Sequence, residues 1–347
     1  MKIRASARSH THAFEAEAGE TILDAGLRNG IALPYECGSG TCGTCRARLV
    51  GGEVQDTWPE APGGRLLKRE QGDVLMCQSV ALTDCALDVP VKAELMPDGA
   101  CGPGRGVGVV REWTALTHDV VRFDVVLDRP LRFEAGQFVL IGVDGIAGRR
   151  AYSMVNYDDP ASRLRFVVKK KPGGRVSEWL FAPGAGGSTV TLFGPLGKAT
   201  FAPGLARHVL CIAGGSGIAG MMSILWRACA DRHFDRYRGH VFFGVRAVRD
   251  LFFLEELAAF TTRFPDALEV TLALSDQDVP DALRAQRPEF RFDGGFVHEA
   301  AGRGMTGQFT GVRAYVAGPP PMVDASIRLL LREGRLPASD IRYDKFT

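Results

Sequence analysis

The spacing of apolar residues changes along the chain and predicts two different kinds of sheet. Between about 104 and 203, apolar and polar residues alternate in short runs separated by Gly/Pro turns: VVRFDVVL, QFVLIGV, LRFVVKK and STVTLFG. A period of two predicts half-buried strands, here of an antiparallel barrel or sandwich. From 207 onward, continuously apolar runs (HVLCIA, HVFFGV, ALEVTLAL, AYVAG) alternate with helical segments. That pattern predicts a parallel α/β sheet.

A stretch rich in glycine and proline, MPDGACGPGRGVG, separates these regions from the N-terminal part of the chain. A chain of 347 residues is long enough for two or three domains. We therefore predict a multidomain α+β and α/β protein. Its segments are an N-terminal domain over 1–95, a linker over 96–106, an antiparallel barrel over 107–204 and a parallel α/β domain over 205–347.

Composition narrows the range of partners and compartments. Hydrophobic residues make up 46% and charged residues 24%, which is typical of a soluble globular protein. The net charge of +2 gives no reason to expect nucleic acid as a partner. The chain has no apolar run of about 18 residues and does not begin like a signal peptide. We expect a cytoplasmic protein, in which the eight cysteines are metal ligands or buried thiols rather than disulfides.

Three cysteines lie close together in YECGSGTCGTCRAR, and a fourth follows in LMCQS. The spacing of Cys37, Cys42, Cys45 and Cys77 is C-x4-C-x2-C…C, which is typical of a plant-type [2Fe–2S] cluster. The intervening glycines would let the loop curl so that backbone N–H groups point at the sulfurs. A zinc site or buried free thiols are the alternatives, although zinc ribbons usually pair two CxxC knuckles. The other cysteines lack this spacing and are not expected to be ligands: Cys85, Cys101, Cys211 and Cys229.

Two further stretches, RRAYSMVN and PGGRVSEWLF, carry residues that suit a phosphate-bearing ligand. The guanidinium fork of Arg150 matches phosphate oxygens. Gly173 and Gly174 precede a helix predicted to begin near Val176–Ser177, and free N–H groups at a helix start bind anions. An arginine and a tyrosine in a strand are more often surface packing, so these residues alone leave that alternative open.

The stretch HVLCIAGGSGIAGMMSIL predicts a strand, a glycine turn and a helix. Gly215, Gly217 and Gly220 match the dinucleotide fingerprint GxGxxG. The acidic residue that usually ends the second strand is absent, because HVFFGVR ends on Arg246. We therefore expect a dinucleotide site that differs from the usual Rossmann mode.

In order along nearly the whole chain, these stretches resemble the reductase components of bacterial multicomponent oxygenases. ETILDAGLRNG and LPYEC are similar to the β-grasp ferredoxin domain of that family, RxYS and GPLG to its flavin domain, and GGSGI, FFGVR and YVAGPPPM to its Rossmann-like NAD domain. WPEAPGG is similar to toluene or phenol diiron monooxygenase reductases, and KKPGGRVSEW to naphthalene-type Rieske dioxygenase reductases. The resemblance implies three cofactors: a [2Fe–2S] cluster, FAD rather than FMN, and NADH.

The resemblance also implies roles for individual residues. Tyr152 would stack on the isoalloxazine, Ser153 would hydrogen-bond near its N5, and Arg150 would face the pyrophosphate. Gly174 and Ser177 match the family's second flavin-phosphate motif, G-x-x-S/T, and Gly173 beside them would also bind the flavin. The nicotinamide nucleotide would be held by Gly214, Gly215, Ser216, Gly217, Arg246, Gly318, Pro319 and Pro320. Phe346 would cover the flavin until nicotinamide displaces it; a buried terminal phenylalanine is the alternative.

Two residues depart from the family's pattern. Gly220 replaces the usual proline and is expected to loosen the first helical turn. Ala317 stands where many relatives carry a cysteine beside the hydride path, which concerns the positioning of the nicotinamide rather than its binding. The resemblance favours NADH over NADPH, although Arg246 and Arg249 would suit a 2′-phosphate and Asp250 would oppose one.

The three cofactors suggest one function. NADH delivers two electrons as hydride, a cluster accepts one, and a flavin exchanges both, while the protein positions and tunes them. We predict a monomeric NADH-dependent reductase that docks transiently, around residues 38–46 with Arg46 and Arg48 at the rim, on a terminal oxygenase (Rieske or diiron) or on its ferredoxin. The alternatives are a redox sensor or carrier without turnover, and a reductase of a small molecule such as a nucleotide-sugar intermediate.

Overall fold

The computed structural model describes residues 1–7, 10–90, 93–96, 102–202 and 204–346. Its strands form three main sheets of five, six and six strands, together with two two-stranded sheets. Each main sheet is built from a different part of the chain, in the order that the hydrophobic pattern predicts. The predicted multidomain fold class is therefore confirmed.

The described residues of the N-terminal domain form one α-helix, α1 (Ile22–Arg28), and nine strands: β1 (Lys2–Ala7), β2 (His10–Glu15), β3 (Ile31–Ala32), β4 (Arg46–Gly51), β5 (Val54–Asp56), β6 (Asp73–Leu75), β7 (Ser79–Ala81), β8 (Cys85–Asp88) and β9 (Glu94–Leu95). The main sheet has the order β2-β1-β8-β4-β6, with β1 and β8 parallel and the other pairs antiparallel. Helix α1 begins after Thr21, whose Oγ1 accepts the N–H of Asp24 at 3.3 Å. This mixed sheet with one buried helix agrees with the predicted β-grasp domain.

The middle domain consists of β10 (Gly104–Ala115), β11 (Val120–Leu131), β12 (Phe138–Gly142), β13 (Arg150–Ser153), β14 (Ala161–Lys169), α2 (Arg175–Phe181) and β15 (Thr189–Leu196). All six strands are antiparallel to their neighbours, in the order β13-β12-β15-β10-β11-β14. The alternating positions turn one face inward, where Phe123 and Phe166 are buried. Among the described residues β13 and β14 do not pair with each other, so the barrel is open between these strands.

The C-terminal domain consists of β16 (His208–Gly214), α3 (Ile218–Ala230), β17 (Gly239–Val245), α4 (Leu254–Arg263), β18 (Leu268–Leu274), α5 (Asp281–Gln286), β19 (Arg291–Gly294), α6 (Val297–Gly304), β20 (Val312–Gly318), α7 (Pro320–Arg332) and β21 (Ile341–Lys345). Its six strands are all parallel, in the order β19-β18-β17-β16-β20-β21. The strand order reverses between β16 and β20. In open parallel sheets, ligands bind at the carboxyl ends of the strands at such a reversal.

The N-terminal domain packs tightly against the middle domain. The two terminal nitrogens of Arg149 donate to the carboxylate of Asp24 at 2.6 and 2.9 Å, and Asp24 is buried. The hydroxyl of Tyr35 accepts the N–H of Gly197 at 3.2 Å. The core of the N-terminal domain also includes apolar side chains of the middle domain: Phe138, Leu140, Phe193 and Leu196. These contacts fix the orientation of the N-terminal domain against β12 and β15.

The connection between these two domains is described only in part. Strand β10 begins at Gly104, inside the predicted linker 96–106, and residues 97–101 of that linker lie outside the described residues. The segment boundaries proposed from the sequence stay a prediction. Within the described ranges, no helix combines the length and the hydrophobicity that a membrane span requires.

Candidate functional site

Four thiols converge in the N-terminal domain. Cys37, Cys42 and Cys45 come from the loop between β3 and β4, and Cys77 comes from the turn between β6 and β7. The sulfurs of Cys45 and Cys77 are 3.1 Å apart, and the thiols of Cys37 and Cys42 share a hydrogen bond. The predicted set is thus brought together as two pairs. Three other cysteines are buried elsewhere as free thiols: Cys85, Cys211 and Cys229. Cys101 lies outside the described residues.

Backbone donors surround the sulfurs, as the loop sequence predicts. The N–H of Ser39 donates to the sulfur of Cys37 at 3.4 Å, and the N–H of Thr44 donates to the sulfur of Cys42 at 3.5 Å. The loop reaches this shape through three glycines with φ of 63°, 85° and 77°: Gly38, Gly40 and Gly43. Donors that point at sulfur stabilise its anionic form, which is the form that binds metal.

One side chain of this centre was missed by the sequence analysis. The amide nitrogen of Gln78 donates to the sulfur of Cys77 at 3.5 Å, while its amide oxygen accepts the hydroxyl of Thr57 at 3.2 Å. Gln78 is buried. Its position directly after the fourth cysteine was the only available signal.

The thiols differ in how readily they ionise. The pKa of Cys37 is lowered to about 4, because its sulfur accepts hydrogen bonds from the Cys42 thiol and from Thr41 and Ser39. The pKa of Cys42 is raised by that same hydrogen bond and by burial. The pKa of Cys45 is raised for the same two reasons, with Cys77 as its partner. Within the first pair, the hydrogen bonds therefore favour ionisation of Cys37 over ionisation of Cys42.

The predicted flavin residues lie on β13, at the edge of the middle sheet. Arg150 is opposite Ile141 and Ser153 is opposite Phe138 on β12. Ser153 is buried, whereas Tyr152 is half-buried, and burial raises the pKa of the Tyr152 phenol. Arg150 is also half-buried, and burial lowers the pKa of its guanidinium. Along the strand the chain thus offers a cation, an aromatic ring and a hydroxyl, from Arg150, Tyr152 and Ser153.

The second predicted flavin motif forms the turn into α2. Gly174 is the N-cap residue of that helix, and the hydroxyl of Ser177 donates to its carbonyl at 2.8 Å. The same hydroxyl accepts the N–H of Lys171 at 3.1 Å. The N–H of Gly173 donates to the carboxylate of Glu178 at 2.8 Å. The turn therefore has the predicted shape, with a carboxylate at one of the predicted anion-binding donors.

A cavity of about 350 Å³ lies at the carboxyl ends of β16 and β20, where the strand order reverses. Eight of the residues predicted from the sequence line this cavity. They are the proposed nucleotide-binding residues and the proposed cover of the flavin, Phe346: Gly214, Gly215, Ser216, Gly217, Arg246, Gly318, Pro319 and Phe346. Pro320 does not line the cavity and begins α7. The backbone N–H of Phe346 donates to the carbonyl of Gly318 at 3.0 Å, which holds the terminal ring beside the cavity.

The cavity also contains side chains that the sequence analysis missed. Asp119 and Lys169 belong to the middle domain and form an ion pair at 3.1 Å. Ser275 follows β18, and Phe296 precedes α6. The position of Ser275 at the carboxyl end of a strand was a usable signal. Nothing in the local sequence marks the two residues of the middle domain.

The polar residues that follow β17 bear on the choice between NADH and NADPH. Arg246 is exposed, and in the part of the chain that the structure describes no carboxylate lies within 4 Å of its guanidinium. Asp250 is buried and accepts the N–H of Ala247 at 3.0 Å. A nitrogen of His118 lies 3.8 Å from the other oxygen of Asp250. The carboxylate is thus held on the wall of the cavity, where it would repel a second phosphate.

The glycine turn approaches β20 closely. A Cβ on Gly217 would lie 2.3 Å from the carbonyl oxygen of Ala317 and 2.8 Å from the nitrogen of Gly318. Distances this short mean that a side chain at Gly217 would force the glycine turn and β20 to move apart. Ala317, which departs from the family's pattern, therefore forms part of the seam, the contact between the glycine turn and the carboxyl end of β20 that joins the two predicted nucleotide motifs.

Asp344, on β21, gives a pH-dependent prediction. Burial raises the pKa of its carboxyl to about 7, and the charge of Glu36 contributes. Because the folded state holds this proton more tightly than the unfolded chain, stability falls as the pH rises from about 4 to about 7. We expect Asp344→Asn to raise the free energy of unfolding relative to the parent. This gain should be about 1–2 kcal/mol larger at pH 8 than at pH 5.5.

Thermal unfolding at the two pH values measures this difference. Asp266→Asn, at an exposed aspartate, is the control and should change stability equally at both. A gain in the Asp344→Asn variant that does not depend on pH would show that Asp344 ionises as in the unfolded chain.

The three candidate centres meet on the middle sheet. A Cβ on Gly38, in the cysteine loop, would lie 3.3 Å from Leu140 of β12. On the neighbouring strand, Ser153 faces the C-terminal domain, because a Cβ on Gly220 would lie 3.5 Å from the Cβ of Ser153. The cysteine loop therefore contacts β12, and the helix that follows the glycine turn contacts β13, the neighbouring strand that carries the flavin motif.

Comparison with known proteins agrees with this order of sites. Residues 7–82 match the 2Fe-2S iron-sulfur cluster binding domain, 108–201 the oxidoreductase FAD-binding domain, and 211–327 the oxidoreductase NAD-binding domain. The ferredoxin–NAD(P)(+) reductase of Metapseudomonas resinovorans is 37% identical over 331 residues, 95% of each chain. The chain belongs to the ferredoxin reductase family that serves multicomponent oxygenases. The first match assigns the cysteine loop to the iron-sulfur class rather than to the zinc alternative.

Other members of the family agree over the whole length. The ferredoxin–NAD(+) reductase component of the alkene monooxygenase system of Xanthobacter autotrophicus is 35% identical, with 96% of this chain and 97% of that protein covered. The solved structure of a ferredoxin reductase in carbazole 1,9a-dioxygenase superposes with a TM-score of 0.83 at 33% identity, covering 100% of this chain and 99% of that one. The predicted set of three cofactor-binding domains is therefore confirmed.

Proposed function

We propose that this chain is the NADH-dependent reductase of a multicomponent oxygenase and carries electrons from NADH through FAD and a [2Fe–2S] cluster to the oxygenase component. The observation that carries the proposal is that the cysteine loop contacts β12 and the glycine-turn helix contacts β13, two neighbouring strands of the middle sheet. Two relatives support it from different systems, since one is named for an alkene monooxygenase and one for a carbazole dioxygenase. The cofactors supply the redox chemistry, and the chain binds, orients and separates them.

In this proposal the four thiols would hold the [2Fe–2S] cluster, which would supply a one-electron acceptor. Cys37 and Cys42 are the first pair, and Cys45 and Cys77 are the second. The N–H groups of Ser39 and Thr44, together with the Gln78 amide, donate to these sulfurs and set the reduction potential.

The flavin is held by residues of the middle domain. Arg150 binds the pyrophosphate, Tyr152 faces the ring, and the Ser153 hydroxyl donates near N5. At the turn into α2, which Gly174 and Ser177 shape, the N–H of Gly173 would be a donor for a flavin phosphate once the Glu178 carboxylate moved away.

The nicotinamide nucleotide occupies the cavity between the middle and C-terminal domains. Its phosphates lie on the turn Gly214–Gly217, where no side chain intervenes, and Arg246 is available for the adenosine half. The nicotinamide would lie against Gly318 and Pro319, in place of the ring of Phe346, whereas Pro320 begins α7 and is not part of this lining. Asp250 on the cavity wall favours NADH over NADPH.

Rapid mixing of the anaerobic holoprotein with NADH tests the relay. We expect the flavin absorbance to bleach first and the cluster to be reduced afterwards, with catalytic reduction of cytochrome c. A flavin that bleaches while the cluster stays oxidised would overturn the proposed order. It would favour the alternative of a carrier or sensor without turnover.

Electrons leave through the exposed side of the cysteine loop. Gly38 faces the middle domain, whereas Cys42 is half-buried and Thr44 is exposed. Leu66, 61% exposed, covers Gly43, because a Cβ on Gly43 would lie 2.7 Å from its Cδ1. An apolar side chain beside the cluster suits a small, transient electron-transfer interface.

We expect Leu66→Glu to weaken docking on the oxygenase component by about tenfold, since truncated interface residues commonly cost about 1–2 kcal/mol. Titrating the rate of cluster reoxidation against that component measures the effect. Val50→Glu adds the same charge at an exposed residue on the strand that leads away from the loop, and is the control. Equal behaviour of the two variants would remove Leu66 from the interface.

A further inference from the structure

The N-terminal domain contributes an aromatic side chain to the flavin strand. Trp58 follows β5, and its ring centroid lies 4.3 Å from the guanidinium carbon of Arg150. The N–H of Trp58 donates to a carboxylate oxygen of Asp56 at 3.0 Å, and its carbonyl accepts the N–H of Ala61 at 2.9 Å. The ring packs against the core of the N-terminal domain. Both the backbone and the ring of Trp58 are therefore fixed by a domain that does not itself contain the flavin motif.

Gly148 provides the space for this stacking. A Cβ at Gly148 would lie 2.5 Å from the Trp58 ring and 2.9 Å from a terminal nitrogen of Arg150. The φ of Gly148 is 73°, which also favours glycine. The glycine thus lets the indole reach the guanidinium across the domain boundary.

Arg150 depends on this ring for its orientation. One terminal nitrogen donates to the carbonyl of Arg149 at 3.0 Å. Over the ranges that the structure describes, no carboxylate lies within ion-pair distance of Arg150, although many other arginines have such a partner. Arg175 lies close enough to lower the pKa of Arg150 further, after burial. A half-buried guanidinium without a counterion, beside a second cation, suits an anionic ligand.

We propose that Trp58 is a positioning residue for the flavin: by stacking on Arg150 it holds the guanidinium where it meets the FAD pyrophosphate. The inference rests on the proposed role of Arg150. It makes the iron-sulfur domain a part of the flavin-binding site, so that the docking of this domain and the occupancy of the flavin are coupled.

Flavin titration of the deflavinated, cluster-containing full chain tests this coupling. We expect Trp58→Ala to weaken FAD binding by about 5- to 30-fold, which corresponds to about 1–2 kcal/mol for a partly desolvated cation–π contact. Trp58→Phe keeps an aromatic ring and should weaken FAD binding less than Trp58→Ala does. Trp226→Ala removes a half-exposed tryptophan of α3 and should leave the affinity for FAD unchanged. Cluster absorbance per chain checks that the N-terminal domain remains folded.

A double-mutant cycle shows whether Trp58 acts through Arg150. We expect Arg150→Ala to weaken FAD binding and the added Trp58→Ala change to have no further effect. An equal loss from Trp58→Ala in both backgrounds, or none in either, would overturn the positioning role. If Arg150→Ala itself leaves the FAD affinity unchanged, the phosphate-binding role in the proposed function fails, which is a distinct result.

Discussion

Cys42→Ser is expected to lower NADH-driven reduction of cytochrome c by at least about 100-fold while NADH still bleaches the flavin. Loss of a residue that only hydrogen-bonds a metal ligand typically lowers metal affinity or activity by about 10- to 100-fold. Cys42 is itself one of the four proposed ligands. Its thiol pairs with that of Cys37, so a hydroxyl at this position leaves one half of the proposed centre with a single sulfur. Cys42 is half-exposed and lies in a loop, so the change should leave the domain folded.

Iron and sulfide analysis, cytochrome c reduction and rapid-mixing flavin reduction together measure this effect. Cys85→Ser makes the same atomic exchange at a buried thiol in β8 that contacts the carbonyl of Glu53 at 3.4 Å. A serine there keeps the hydrogen bond, so this control should retain its iron and its activity. A Cys42→Ser protein with full iron content and an unchanged cytochrome c rate would contradict the assignment of Cys42 as a ligand.

The cysteine loop could be predicted because its information is local. Three cysteines and three glycines within nine residues specify both the ligands and the positive φ values of Gly38, Gly40 and Gly43. The contact of Gly38 with Leu140 could not be predicted, because it joins residues about a hundred positions apart. Such contacts follow from how two finished domains pack, and no periodic pattern encodes them.

In the nucleotide cavity, too, the local features could be predicted from the sequence and the contributions of another domain could not. The glycine turn after β16 was predicted from a strand, a turn and a helix in sequence, and all of its residues line the cavity. Asp119 and Lys169 were missed because they enter from a different domain. Gly220 was expected to loosen the first turn of its helix; in the structure α3 begins at Ile218, and Gly220 lies within it against Ser153.

The middle sheet explains why the domains occur in this order. Its edge strand β13 carries the flavin motif, and the strands beside it bind the N-terminal domain through Asp24 and the apolar side chains of β12 and β15. The C-terminal domain approaches the same edge through α3. A relay of electrons requires short distances on both sides of the flavin, and this sheet provides two contact surfaces for that purpose.

Gly217→Ala is expected to slow flavin reduction at low NADH concentration by about 10- to 100-fold. The backbone of Gly217 is helical, so only space opposes a methyl group, which would lie 2.3 Å from the oxygen of Ala317. To make room for this methyl group, the glycine turn and β20, which form two walls of the cavity, must move apart. Such overpacking costs about 1–3 kcal/mol. Gly186→Ala is the control, since a Cβ at Gly186 would meet nothing within 4 Å. Chemical reduction by dithionite should be normal in both variants. A Gly217→Ala protein that responds to NADH like the parent would show that this seam does not shape the nucleotide site.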